Sequence, residues 1–143
     1  MKHRHKWVIA GFASFFLPLS IMFIVLLSMG ITYHGDKTIL ASDAFHQYVI
    51  FAQNFRNILH GSDSLFYTFT SGLGLNFYAL ISYYLGSFLS PLLFFFNLTS
   101  MPDALYFFTL IKFGLIGLTA CYAFHKLYPT IKAYLIAVSY THL

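Results

Sequence analysis

The sequence predicts an all-α, polytopic membrane protein with an amphipathic interfacial helix in its first external loop. Three observations predict it. Apolar residues make up 59% of the chain and charged residues 8%, whereas a soluble domain carries about a quarter charged residues. Residues 7–29 contain no charge at all. The four acidic residues are Asp36, Asp43, Asp63 and Asp103, with no Glu, and three of them gather just beyond that first apolar segment. A mean hydropathy of +0.73 agrees, as does an aromatic content of 21%, dominated by Phe and Tyr and suited to membrane and interface surface.

The first element is a span over 7–29. At about 1.5 Å per helical residue it exceeds 30 Å, the thickness of a hydrocarbon core. Pro18 lies inside it and is expected to kink it. The basic residues Lys2, Arg4 and Lys6 precede it, so the N-terminus is expected on the cytoplasmic side. The segment is too long for a cleaved signal peptide, and no Ala-x-Ala-like site follows it.

Residues 30–76 form the expected external loop. Within it, 43–60 has helical periodicity. Phe45, Tyr48, Val49, Ala52, Phe55 and Leu59 recur at spacings of three and four and fall on one face. Asp43, Gln47, Asn54 and Asn57 fall largely on the other. Ser42 is the expected N-cap, Asp43 suits the positive end of the helix dipole, and Gly61 is the expected C′ residue. Such a helix beside a span lies flat in the interface.

Glycines lead from 72 into the next apolar region, 77–96, which is broken by Gly86 and by Ser90-Pro91. A full crossing is the favoured reading of 77–96, and a re-entrant dip is the rival. The dip would keep Lys126 and Lys132 on the cytoplasmic side, as the positive-inside rule prefers. Pro102-Asp103 marks a turn, 104–124 is a further span, and a fourth begins at 131. That fourth segment is too short to cross. The closing Ser139-Tyr140-Thr141-His142-Leu143 resembles translated sequencing-adaptor read-through, so His142 is given no role.

Composition narrows the chemistry. Cys121 is the sole cysteine, so an intrachain disulfide and a thiolate metal cluster are excluded, and the residue reads as small packing. The net charge of +4 comes without a basic patch interleaved with aromatics, so no nucleic-acid partner is expected. A glycine-rich phosphate loop, a Gly-x-Ser-x-Gly elbow and a Cys/His cluster are all missing.

Asp43 leads the candidates. A carboxylate half-buried at a membrane face can have a raised pKa and accept a proton from an acceptor hydroxyl. The competing reading is helix capping. Asp36, after His34-Gly35, is a candidate for a polar substrate or a cation, or a solvated turn residue. His46 and Gln47 follow one turn past Asp43, with Gln47 at i+4. Both can hydrogen-bond a sugar or a phosphate, but His46 lacks a second histidine at ligand spacing. Arg56 can hold a phosphate or pair with lipid headgroups. Asn76, where the glycine-rich stretch ends, is a further substrate-binding candidate. Lys112 lies mid-span, where a cation is costly and faces protein interior or a water-filled cavity. It is either a phosphate partner or a structural ion-pair member. Tyr83 and Tyr84 are belt residues or line a sugar pocket.

A set of stretches in order resembles the N-terminal part of the YfhO-like family of bacterial membrane proteins. They are Gly35-Asp36, Ser42-Asp43-Ala44-Phe45-His46-Gln47-Tyr48, Arg56-Asn57-Ile58-Leu59-His60-Gly61, Gly72-Leu73-Gly74-Leu75-Asn76-Phe77, Ser82-Tyr83-Tyr84-Leu85, Ser90-Pro91 and Lys112-Phe113-Gly114-Leu115-Ile116-Gly117-Leu118. The resemblance implies a GT-C-like transmembrane bundle of which 1–143 is the N-terminal part. It also implies a glycosyltransferase that takes a sugar from a polyprenyl-phosphate carrier. The acceptor would be an extracytoplasmic cell-wall or lipid-linked polymer such as teichoic acid. In GT-C enzymes the first external loop carries a catalytic Asp or Glu, and Asp43 occupies the corresponding place. Family members are several times longer, so this stretch alone is expected to be inactive.

The implied setting is the bacterial cell membrane, with the bilayer, the lipid-linked donor and the acceptor as partners. No cofactor is identified; a divalent metal is compatible and not demanded. A flippase or transporter of a lipid-linked precursor is the main alternative, because broken helices and an intramembrane lysine are transporter features too. A non-catalytic membrane scaffold is the third.

Overall fold

The computed structural model describes residues 2–128. Expectations that fall on 129–143, the fourth apolar segment among them, lie outside the described residues. The described chain is helical and forms no strand; an isolated antiparallel bridge joins Thr68 and Leu75. It divides into two compact units, one holding residues 2–31 and 107–128, the other Thr32–Tyr106.

The first unit is built on two long helices, α1 (Lys2–Ser28) and the greater part of α4 (Met101–Leu127). The apolar stretch Val8–Ser28 has a mean hydropathy of 2.4, and Leu98–Leu127 has 1.7. Both are long enough to cross a bilayer. α4 begins three residues before the expected span and ends three residues after it. Pro102 is tolerated there because first-turn N–H groups have no helical acceptor. Asp103 in the first turn and His125 and Lys126 in the last oppose the helix dipole favourably.

Small residues set how α1 and α4 meet. Ser14, Pro18 and Cys121 are fully buried, and Gly114 and Gly117 are buried beside them. A Cβ on Gly114 would stand 2.8 Å from the Phe15 ring, and one on Gly117 would collide with the Ser14 carbonyl oxygen. Lipid gives no hydrophobic drive for helix pairing, so close backbone approach of this kind carries the association.

The second unit contains α2 (Val49–Leu59), α3 (Phe77–Leu80) and the first turn and a half of α4. A π turn, Ala44–Tyr48, leads into α2, and another, Ile81–Leu85, continues α3. Short 3₁₀ turns come next at Ser90–Phe95 and Leu98–Ser100. The core gathers Val49, Phe51, Ala52, Phe77, Leu89, Leu93 and Met101. α2 closes as expected. Gly61, at φ +75°, donates to the Ile58 carbonyl and Ser62 N donates to Asn57 O, the paired bonds of a Schellman ending.

The expected crossing over 77–96 is not a continuous helix. Its longest unbroken helical run, from Phe77 through Leu85, reaches about 13 Å at 1.5 Å per residue, less than half a hydrocarbon core. Gly86 ends it, and Pro91, which has no N–H, sits at the start of a tight 3₁₀ turn that does not extend into an α-helix. Among the described residues, two helices are long and apolar enough to cross a membrane.

Candidate functional site

Asp43 stands at the head of the π turn, exposed, and its side chain makes no capping bond. Ser42 before it has φ +50°, a left-handed conformation unusual for a residue with a Cβ and common where backbone strain accompanies function. The expected N-cap at Ser42 is not formed: the cap position falls on Asp43, and Ser42 contributes only its carbonyl, which accepts from Phe45 N at 3.0 Å and His46 N at 3.2 Å.

The π turn holds one residue more than an α turn, which rotates everything before Val49 relative to the face α2 presents. Gln47 is thereby half-buried, and its Oε1 accepts from the Tyr84 hydroxyl at 2.7 Å. Rings close around Tyr84: Phe51 at 4.9 Å, Tyr48 edge-on at 5.2 Å and Tyr83 edge-on at 4.6 Å. Tyr83 itself is 80% exposed. Burial lifts the Tyr84 phenol above its ordinary pKa, and the Tyr83 and Tyr48 phenols and the Asp43 carboxylate push the same way. Tyr84 therefore remains a hydrogen-bond donor at physiological pH.

The other expected site residues are distributed. His46 is exposed, edge-on to Phe45 at 5.2 Å, and lines a separate cavity of about 370 Å³ with Gln53 and Thr99. Asp36 is exposed in the loop before Asp43. Arg56 is half-buried, with Nε donating to the Phe96 carbonyl at 2.9 Å. This bond pins α2 to the chain after the 3₁₀ turn, while Nη1 makes a long 3.5 Å bond to Asn57 Oδ1. Asn76 caps α3, its Oδ1 accepting from Tyr78 N at 3.0 Å. Lys112 is exposed on α4, in the unit of long helices. Among the described residues, no three His, Cys, Asp or Glu side chains are grouped to hold a metal ion.

Two connections are invisible in the sequence pattern. Asn54, expected on the polar face, is 5% exposed, and its amide donates to Thr68 Oγ1 at 2.8 Å and to Thr70 Oγ1. The extra residue of the π turn takes Asn54 off the face of Asp43. The second connection is at Asp103, whose Oδ1 accepts from His34 N at 3.0 Å while Oδ2 meets the His34 ring at 2.7 Å. The partners are 69 residues apart, and the one available signal was an acidic residue opening a helix.

Asp43 is an accessible carboxylate at the head of the turn that carries Gln47, whose amide is fixed by the Tyr84 phenol beside the exposed Tyr83 ring. Carboxylate, amide and aromatic faces are the groups that hold a sugar ring and take a proton from one of its hydroxyls. Comparison with curated proteins and with solved structures finds no match. The family model for the bacterial membrane protein YfhO matches residues 14–143. That match takes in α1 from Ser14 onward, all of α4 and the whole of the unit that carries Asp43, and the chain belongs to the YfhO family of bacterial membrane proteins.

Proposed function

We propose that this chain carries the acceptor-activating part of a GT-C-type membrane glycosyltransferase. It would transfer a sugar from a polyprenyl-phosphate carrier to an extracytoplasmic cell-wall or lipid-linked polymer, teichoic acid among the candidates. The observation that carries the reading is Asp43: an exposed carboxylate following a left-handed Ser42, beside the Gln47–Tyr84 pair. The family membership agrees with it.

In the proposed step, Asp43 accepts the proton of the acceptor hydroxyl. The acceptor oxygen bonds to the anomeric carbon as the bond from that carbon to the phosphate oxygen breaks. The electron pair leaves on the lipid phosphate, already a good leaving group, so positioning and electrostatics do most of the work. Gln47 and the Tyr83 ring would orient the sugars. The terminal nitrogens of Arg56 are the cations proposed to meet the phosphate.

The topology proposed is an N-terminus in the cytoplasm, α1 outward, Thr32–Tyr106 outside and α4 inward. Because 77–96 is not a span-length helix, Lys126 then joins Lys2, Arg4 and Lys6 on the cytoplasmic side. The charge conflict of a full crossing disappears.

A flippase is the second reading, favoured by the broken 77–96 segment and an exposed lysine in a membrane-length helix. One experiment separates the two. Asp43→Asn is placed in the full-length protein and membrane levels are matched. Transfer of labelled sugar is then assayed in vesicles with the carrier already on the outer face. Loss of about a hundredfold or more is expected for a general base. Undiminished transfer removes Asp43 from the chemistry. A wild-type protein that moves the carrier without transferring sugar replaces the transferase with the flippase.

A further inference from the structure

From Ser64 to Pro102 the sequence carries no Asp, Glu, Lys, Arg or His, yet none of it forms a helix of membrane length apart from the start of α4. A soluble loop of that composition would collapse its apolar side chains inward. Here several stand outward: Phe66 is 70% exposed, Phe69 80% and Leu73 101%. All three sit on the turn-back around the Thr68–Leu75 bridge.

That turn-back is held from within. Thr68 and Leu75 exchange both backbone bonds at 3.0 Å, and Gly74 N donates to Ser71 O at 3.1 Å. Buried Asn54 holds the Thr68 and Thr70 hydroxyls from below. The Tyr67 ring lies edge-on to Phe69 at 4.9 Å and against Gly74, where a Cβ would strike its hydroxyl. The apolar tips are displayed by a fixed frame and cannot tuck away.

We infer that the 66–75 turn-back is a membrane wedge, seating Phe66, Phe69 and Leu73 in the outer-leaflet boundary between headgroups and acyl chains. The bilayer is the occupant because the chain on either side of Thr32–Tyr106 continues into helices long and apolar enough to cross it. The absence of Asp, Glu, Lys, Arg and His from Ser64 to Pro102 also fits lipid better than a water-exposed protein partner, whose interface would carry a polar, charged rim. Asp63, which shares a surface hollow with Tyr67 and Phe69, belongs at the headgroup level. The depth is shallow. Thr70, Ser71 and the Tyr67 hydroxyl belong at the headgroup level, and irregular backbone is not tolerated against lipid in the hydrocarbon centre. The wedge would steady the Asp43 surface at the level where a lipid-linked phosphate emerges, but it stands independently of any transferase activity.

The test is fluorescence in proteoliposomes of the full-length protein. Trp7, the one tryptophan of this chain, is replaced by Phe, as are any others in the full-length protein, and Phe69→Trp or, separately, Leu73→Trp is introduced. Leu73 is fully exposed, so an indole there meets no packing, and Phe69→Trp keeps an aromatic ring beside Tyr67. Lipid brominated near the headgroup end of the acyl chain is expected to quench emission about twofold or more, with deep-brominated lipid and aqueous iodide quenching less. Strong iodide quenching without bromine quenching places the tips in water and overturns the wedge. Protection from both quenchers places them under other protein and equally overturns it. Sugar transfer does not enter the readout, so this result stands apart from the Asp43 experiment.

Discussion

Gly117 of α4 rests against the carbonyl of Ser14, the α1 carbonyl that Pro18 leaves without its helical donor. A proline at i+4 has no N–H to give. The freed carbonyl is covered by the Gly117 Cα, an arrangement suited to a weak C–H···O contact and attainable only without a side chain.

Gly117→Ala is accordingly expected to destabilise the helix pair by about 1–3 kcal/mol, and Gly117→Leu by more, because a backbone carbonyl cannot step aside as a side chain can. Cys121, buried on the same helix, supplies the reporter: its thiol should label at a lower temperature in the variants. Pro18→Ala restores a donor to Ser14 and removes the ring that a Cβ at 117 would meet at 2.7 Å, and should soften the Gly117→Ala defect. Unchanged labelling temperatures in Gly117→Leu would rule the contact out.

Asn54→Ala should loosen the turn-back at 66–75 while leaving α1 and α4 intact. Removing a buried amide that donates to two hydroxyls costs about 1–3 kcal/mol. Limited chymotrypsin cleavage at Phe66, Tyr67 or Phe69 should then speed up about tenfold or more. Equal cleavage rates would show that the bridge alone holds the frame.

Tyr84 supplies a pH test with a defined sign. Its pKa is raised in the fold, so the folded state favours the neutral phenol. The associated stability is fully present below the ordinary tyrosine value near 10 and is lost as pH rises through the folded value. Subtracting the alkaline ultraviolet titration of Tyr84→Phe from that of the wild type should isolate a late-ionising phenol. Asp43→Asn removes one of the charges opposing ionisation, so the same difference curve should move to lower pH. A curve that does not respond to Asp43→Asn would place the carboxylate too far away to act with this cluster.

Tyr84→Phe also tests the amide. Gln47 loses its donor and is free to rotate, and the net worth of such a bond is about 0.5–1.5 kcal/mol. Sugar transfer should fall about threefold to tenfold, well short of the Asp43→Asn loss. A loss as deep as that of Asp43→Asn would mean that Tyr84 touches the reacting atoms directly.

How far the sequence could be read differs from element to element. α1 was legible because charge is excluded from a whole span, and the end of α2 because Gly61 supplies a left-handed residue where a helix must stop. The extent of the 43–60 helix was legible too, but its facing was not. One extra residue in the π turn is invisible to periodicity and turns Asp43 away from the face of Asn54, and Asn54 itself is buried because Thr68 and Thr70, from a later stretch of chain, close over it. The 77–96 region has the hydropathy of a span, but Gly86 and Pro91 outweigh it locally. Polarity and spacing singled out Asp43 and Gln47, and the structure adds the partner of Gln47, the Tyr84 hydroxyl. Tyr48 and Phe51 as the walls around Tyr84 were not legible, because they come from a distant stretch of chain and hydropathy does not encode that pairing.

The grip of Asp103 on His34 gives Thr32–Tyr106 the character of a buckled strap. One carboxylate fastens the far end of the segment to its beginning, taking a backbone N–H and a ring nitrogen together. The entropy of closing so long a loop rises only as the logarithm of its length. A strap fastened at its ends can therefore be lengthened or shortened in the middle at little thermodynamic expense, with the buckle unchanged. The turn-back around 70–73, far along the chain from both fastened ends, is where such variation would be absorbed most readily, so the length of the lipid-facing tip can change while the fastening and Asp43 stay as they are.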